Sequence, residues 1–147
     1  MKQLLFAVIL LMVTAGLAAA SDQADVMATV HQFIDGEPET AIAACADETS
    51  IIDEFPPYSW RGPGACARWS KDYHADLKKN GITGGLVTIG QPRHVDVAGD
   101  HAYVVVPASY SWQRKGKPMK ETGSTFTATL QKSAAGWRIT AWTWSEQ

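Results

Sequence analysis

The stretch TATLQKSAAGWRITAWTW, residues 127–144, decides the fold. Thr127 and Thr129 alternate with Ala128 and Leu130, the two-residue period of a half-buried strand. Ala134-Ala135-Gly136 supplies a turn, and Trp137 to Ser145 reads as the returning strand. Strict parity puts Trp137, Ile139, Ala141 and Thr143 on one face, and Arg138, Thr140, Trp142 and Trp144 on the other. Ile139 and Ala141 match the small apolar residues that the neighbouring strand turns inward, so this parity sends Trp142 and Trp144 outward. Two Trp on an open sheet make a patch that monomers seldom leave uncovered, which predicts a homodimer through the outer sheet face. A bulge would invert the parity and turn both rings inward.

Upstream of the hairpin the alternation continues. Ala102, Val104, Val106, Ala108, Tyr110 and Trp112 share one face of a long strand, and Phe126 joins Ala128 and Leu130 on the next. Ala98-Gly99-Asp100 and Lys115-Gly116-Lys117-Pro118 are turns. Leu86 to Val97 is a strand bent at Gly90 and Pro92. Before Gly85 the period becomes 3.6. Cys66, Trp69, Tyr73 and Leu77 form the stripe of a helix from about Ala65 to Asn80, with Lys71, Lys78 and Lys79 on its other side and Gly81 as its stop. A first helix spans about Asp22 to Ile34, and a second about Glu39 to Ala46, carrying Ile42 and Cys45 on one face. Ser50 to Ile52 is a first strand, and Trp60-Arg61-Gly62-Pro63-Gly64 a turn. Three helices followed by an antiparallel meander give an α+β class.

Residues 1–20, MKQLLFAVILLMVTAGLAAA, have the order of a secretory signal peptide: Lys2, an apolar run from Leu4 to Val13, then small residues ending in Ala18-Ala19-Ala20. The apolar run is shorter than a membrane span requires. Cleavage near Ala20-Ser21 would leave residues 21–147 as one secreted or periplasmic domain, with no membrane segment in the mature form. A formal net charge of −2 gives no electrostatic case for nucleic acid. Cys45 and Cys66 are the only cysteines. In an oxidising compartment they favour a disulfide, against the alternative of two buried thiols.

The stretches ACADETSIIDE (44–54), RGPGACARW (61–69) and the hairpin at 127–144 resemble the nuclear transport factor 2-like superfamily, most closely its SnoaL-like members. Ketosteroid isomerase belongs to the same superfamily. The resemblance implies a curved antiparallel sheet wrapped on three N-terminal helices, a cystatin-like, cone-shaped α+β barrel with a pocket inside. It also implies a SnoaL-like domain over 21–147 that dimerises through the sheet. Laid across ADETSIID and on to RG, the isomerase pattern places its general base on Asp53. Its remaining machinery does not carry over. The first helix offers only Thr29 or Phe33 near the Tyr position, and the late-strand acid falls on Ala128.

SIIDEFPPYSW, residues 50–60, is therefore the candidate site. A carboxylate at the mouth of an apolar pocket has its charged form desolvated, which raises its pKa toward a useful range for proton abstraction. Glu54, its neighbour on an extended chain, should point away, while Tyr58 and Trp60 shield Asp53 from water. The expected ligand pocket comprises Asp53, Tyr58, Trp60, Trp69, Tyr73, Val106, Ala108, Tyr110, Trp112, Phe126 and Ala128. His94 and Asp96 could share a strand face. His31, His74 and His101 have no metal-ligand spacing, so no metal is expected, and no cofactor motif is present. Three functions remain open: an exported binder of a small apolar or aromatic ligand; a proton-transfer enzyme of isomerase, cyclase or lyase type using Asp53; and a dimeric interaction module with a filled pocket. An empty pocket of about 300 Å³ or more supports the first two.

Overall fold

In the computed structural model the described residues are 20–146. The expected signal peptide therefore lies almost wholly outside them. Helix α1 covers residues 20–35 of the described chain, followed by α2 (Pro38–Ala43) and α3 (Ala65–Asn80). The strands are β1 (Cys45–Ile52), β2 (Ser59–Pro63), β3 (Ile82–Ile89), β4 (His94–Ala98), β5 (His101–Arg114), β6 (Lys117–Ser133) and β7 (Gly136–Ser145).

Local chemistry explains most of these bounds. Val26, Val30 and Phe33 bury one stripe of α1. At the end of α3, Gly81 adopts a left-handed conformation and its N–H reaches back to the Leu77 and Lys78 carbonyls, while Lys78 and Lys79 oppose the helix dipole. The start of α3 has no side-chain cap on Gly64. Arg68 instead reaches back to the carbonyls of Pro63 and Arg61.

The sheet runs β2-β1-β7-β6-β5-β3, with β4 paired to β5. Two expectations are corrected here. The sheet is mixed rather than antiparallel, because β1 runs parallel to β7. It is also neither closed into a barrel nor strongly curled into a cone. Its hydrogen-bonded path ends on β2 at one side and on β3 at the other, and those ends do not pair. On the β3 side, the long strand β5 takes two short partners in succession. Its second half (108–114) pairs with β3 and its first half (101–105) with β4. The interruption falls at Gly90 to Arg93, where the expected bend becomes a break between two strands. Two smaller corrections sit near β1. Cys45 opens β1 instead of ending the second helix, and residues read as a turn around Arg61 form β2.

Two bulges then set which side chains face the helices. On β6, Ala108 pairs with Ser124 and Ser109 with Thr122, so Gly123 is the extra residue. On β7, Leu130 pairs with Ile139 and Thr129 with Ala141, so Thr140 is extra. Each bulge shifts the side-chain alternation by one. The Thr140 bulge corrects the outward placement of Trp142 and Trp144. Trp137 and Ile139 are buried before it, and Trp142 is buried after it at 5% exposure, with Trp144 half-buried against the same core. The Trp patch that would drive dimerisation is therefore absent from the outer face.

The core lies between α1, α3 and the inner sheet face, and includes Val26, Val30, Phe33, Ile51, Trp60, Val104, Val106, Phe126, Leu130, Ile139 and Trp142. Cys45 and Cys66 form a disulfide with Cα atoms 6.5 Å apart. It ties the first residue of β1 to the first turn of α3.

Candidate functional site

Asp53 follows the last residue of β1. Ile51 points into the core and Ile52 outward, at 56% exposure, so Asp53 turns inward again. A tight loop carries it. The Asp53 N–H donates to the Tyr58 carbonyl (3.2 Å) and the Tyr58 N–H to the Phe55 carbonyl (2.8 Å). Both carboxylate oxygens are engaged: Oδ2 accepts from the Trp69 indole N–H at 2.7 Å, and Oδ1 from the Glu54 backbone N–H at 2.8 Å. Burial raises the Asp53 pKa above the usual carboxylate value. The two hydrogen bonds oppose that shift, and the nearby Glu121 charge adds to it.

Glu121 reaches this neighbourhood through the Gly123 bulge, which sets it opposite Tyr110. It accepts hydrogen bonds from the Trp144 indole N–H (3.0 Å) and from Ser124. Glu54, Glu121 and Glu146 bring carboxylate oxygens within 4.8 Å of one another. The Glu146 N–H donates to Glu54 at 2.9 Å. Partial burial, followed by the Glu146 charge, pushes the Glu54 pKa up to about 7. Its side chain nevertheless lies on the exposed surface.

The aromatic residues fall into two groups. The first is packed: Phe33, Phe126 and Trp142 have ring centroids 5.3–5.8 Å apart. Trp69 stands edge-on to Trp142 at 4.8 Å. The second is a half-buried strip. Trp69 and Tyr73 stack at 5.3 Å, the Tyr73 hydroxyl donates to that of Tyr110 at 2.9 Å, and Tyr110 stacks on Trp112 at 4.8 Å. All four residues are half-buried. Burial, helped by the Tyr110 hydrogen bond, raises the Tyr73 pKa above its ordinary value, so the phenol stays protonated. Gly85 makes room for the strip, because a Cβ there would collide with the Tyr110 hydroxyl.

The structure thus divides the expected pocket set. Asp53, Trp69, Tyr73, Tyr110 and Trp112 line one continuous strip. Val106, Ala108, Phe126 and Ala128 are buried core. Trp60 is buried too, donating to Asp72 at 2.8 Å. Tyr58 is 56% exposed. Phe55, from the same loop, packs on Trp60 at 5.0 Å and Tyr73 at 5.9 Å. Sequence reasoning missed Phe55, although the period-2 series Ile51, Asp53, Phe55 pointed to it. It also missed Glu121, whose only signal was the bulge-forming Gly123. His94 and Asp96 are both exposed on β4. His31 contacts Asp35 instead, four residues on along α1.

Two concavities lie away from Asp53. One, of about 280 Å³, is on the outer sheet face and includes Ser50, Ile52, Arg61, Thr127, Thr129 and Thr143. The other, of about 580 Å³, lies between α1 and the β3–β4 connection. No helix among the described residues is long and apolar enough to cross a membrane.

No protein-family model matches the sequence, and no curated protein matches it at a significant level. Solved structures do resemble it. An NTF2-like protein with a cystatin-like fold from Novosphingobium aromaticivorans is similar at TM-score 0.73 and 17% identity, over 91% of this chain and 87% of that one. An NTF2-like superfamily protein from Salmonella enterica gives 0.71 and 15%, over 86% and 92%. A ketosteroid isomerase-like protein from Erwinia carotovora atroseptica gives 0.63 and 18%, over 87% and 95%. The chain therefore has an NTF2-like, cystatin-like fold, related to that of ketosteroid isomerase-like proteins. At these identities the likeness concerns the fold alone.

Proposed function

We propose that this chain is an exported, SnoaL-like binder of a small ring-bearing ligand, held on the aromatic strip with a polar group toward Asp53. The strip is the observation that carries this reading. Four half-buried rings, joined by a hydroxyl pair, end on a partly buried carboxylate that is already oriented by an indole N–H. Half-buried aromatic rings offer stacking energy, and the carboxylate offers a fixed acceptor. Export rests on the sequence of residues 1–20, and a disulfide accords with an oxidising compartment.

A second reading, proton transfer by Asp53, draws support from its raised pKa. Binding without chemistry is favoured because both Asp53 oxygens already accept hydrogen bonds. Pairing of two copies through the outer sheet face is supported by exposed apolar residues such as Ile52 and Tyr103, 56% and 44% exposed. Native mass spectrometry of protein purified from its own medium or periplasm tests the binding reading. A co-purifying mass that is lost in Trp69→Leu is expected. Bare protein, together with no change in Trp fluorescence across a panel of ring compounds, would overturn it.

A further inference from the structure

The larger concavity has no residue in common with the aromatic strip. Met27 and His31 of α1 form one wall; Ile89, Gly90, Gln91 and Pro92 form the other. Both walls are fixed in place. Gln23 ties α1 to β4 through the Val95 carbonyl at 2.8 Å. The connection is pinned to β5 at both ends, by the Gly90 N–H on the Pro107 carbonyl (2.9 Å) and the Arg93 N–H on the Val105 carbonyl (2.8 Å). Gly90 permits this close lie, since a Cβ there would stand 3.1 Å from Pro107 Cγ. A cleft of about 580 Å³ between fixed walls is within the size range of small-molecule sites, and a preformed one loses little entropy on binding.

The cleft has one oriented polar group. His31 Nδ1 lies 2.8 Å from Asp35 Oδ2. An ionised carboxylate can only accept, so Nδ1 carries a proton, and the neutral tautomer with this bond is the one that leaves the Nε2 lone pair open. Beside it Met27 and Ile89, partly buried against the core, and half-buried Pro92 make the apolar part of the lining, while Gln91 adds a second polar side chain. Methionine sulfur packs well against ring edges. We infer that the cleft between α1 and the β3–β4 connection is a second ligand site, selective for a phenol whose ring lies on Met27, Ile89 and Pro92 and whose hydroxyl donates to His31 Nε2. Asp35 acts as a positioning residue, fixing the tautomer that leaves Nε2 able to accept.

The test compares p-cresol with toluene on the full-length protein. Long-range ¹H–¹⁵N imidazole spectra follow the ring nitrogens, and the Ile89 methyl resonances follow the cleft. The expected result is a shift of the His31 Nε2 and Ile89 signals with p-cresol, with toluene at least tenfold weaker. His31→Phe, which keeps a ring but removes the acceptor, should abolish that preference. Asp35→Asn should reduce it and change the His31 tautomer signature. Equal binding of both probes would overturn the proposal. So would cresol shifts confined to the strip, a preference retained in His31→Phe, or no saturation by 10 mM. Because the readout is local to His31 and Ile89, failure here is distinguishable from failure of the strip as a binding site.

Discussion

The packed end of the interior and the half-open strip are both built from aromatic side chains, the first on α1, β6 and β7 and the second on α3 and β5, and they have different consequences. Phe33, Phe126 and Trp142 close on one another and exclude water. Trp69, Tyr73, Tyr110 and Trp112 stack in pairs and stay half-buried. The difference lies in what stands opposite. The packed rings face α1, whereas Tyr110 meets Glu121 across the β5–β6 pairing and Tyr73 across the gap to α3. Aromatic content alone does not define a pocket; the opposing element does. If this division is right, substitutions at the packed end should act on stability, and those on the strip should act on binding.

The sharpest break would come from Phe126→Ala. Phe126 is 1% exposed, and removing a buried ring of this kind costs about 3–5 kcal/mol. A large fall in the urea midpoint is expected. A change below about 1 kcal/mol would show that the packed end is itself a cavity. Next is the double change Cys45→Ala with Cys66→Ala. The chain-entropy treatment of a 21-residue separation gives a loss of about 3 kcal/mol. The bridge spans from the strand that leads to Asp53 to the helix that carries Trp69, so ligand affinity should fall along with stability. Urea unfolding with and without reductant, beside a binding titration, checks both.

The sequence revealed alternation but not its phase errors. The β5 face from Ala102 to Trp112 and the span of α3 could be read directly, because local period and the Gly81 stop determine them. The sides taken by Glu121 and Trp142 could not. Each follows an extra residue, Gly123 or Thr140, whose bulge depends on the register of a partner strand. The parallel pairing of β1 with β7 was hidden for the same reason, since it joins residues some ninety positions apart, such as Ile51 and Trp142. Asp53 was found because Ile51 and Ile52 announce a strand locally. Phe55 was less legible, because Pro56 and Pro57 end the strand signal beside it.

Tyr110→Phe separates the two regions at smaller scale. It removes one hydroxyl from the Tyr73 pair, a loss of about 1 kcal/mol at most in stability. Ligand release should quicken while the fold persists. Asp53→Asn belongs beside it, with a sign fixed by the raised pKa. The folded state binds the Asp53 proton more tightly than the unfolded chain does, so ionising it opposes folding as pH rises through the raised value. The Asn variant should therefore gain stability over wild type at pH 8, and lose that advantage below the unfolded carboxylate pKa. An Asn variant less stable at pH 8 would mean that the ionised form, held by Trp69, is the favoured one.

The smallest effect tests the rim of the strip. Glu54 has its pKa raised from 4.5 to about 7, first by partial burial and then by the Glu146 charge. Between those two values the folded state holds a proton that the unfolded chain releases, so stability should decline as pH climbs from about 4.5 to 7. Because the group sits on the exposed surface, solvent screening holds the effect below about 1 kcal/mol. Glu54→Gln should flatten the decline, and it should keep the hydrogen bond from the Glu146 N–H through its amide oxygen. Raising salt to 0.5 M should shrink the wild-type slope and leave the variant unchanged, since only charge repulsion is screened. Asp53 contributes a decline of its own, so a slope left undiminished by both the substitution and the salt would assign the whole titration to Asp53, moving the pH response from the rim to the strip's inner end.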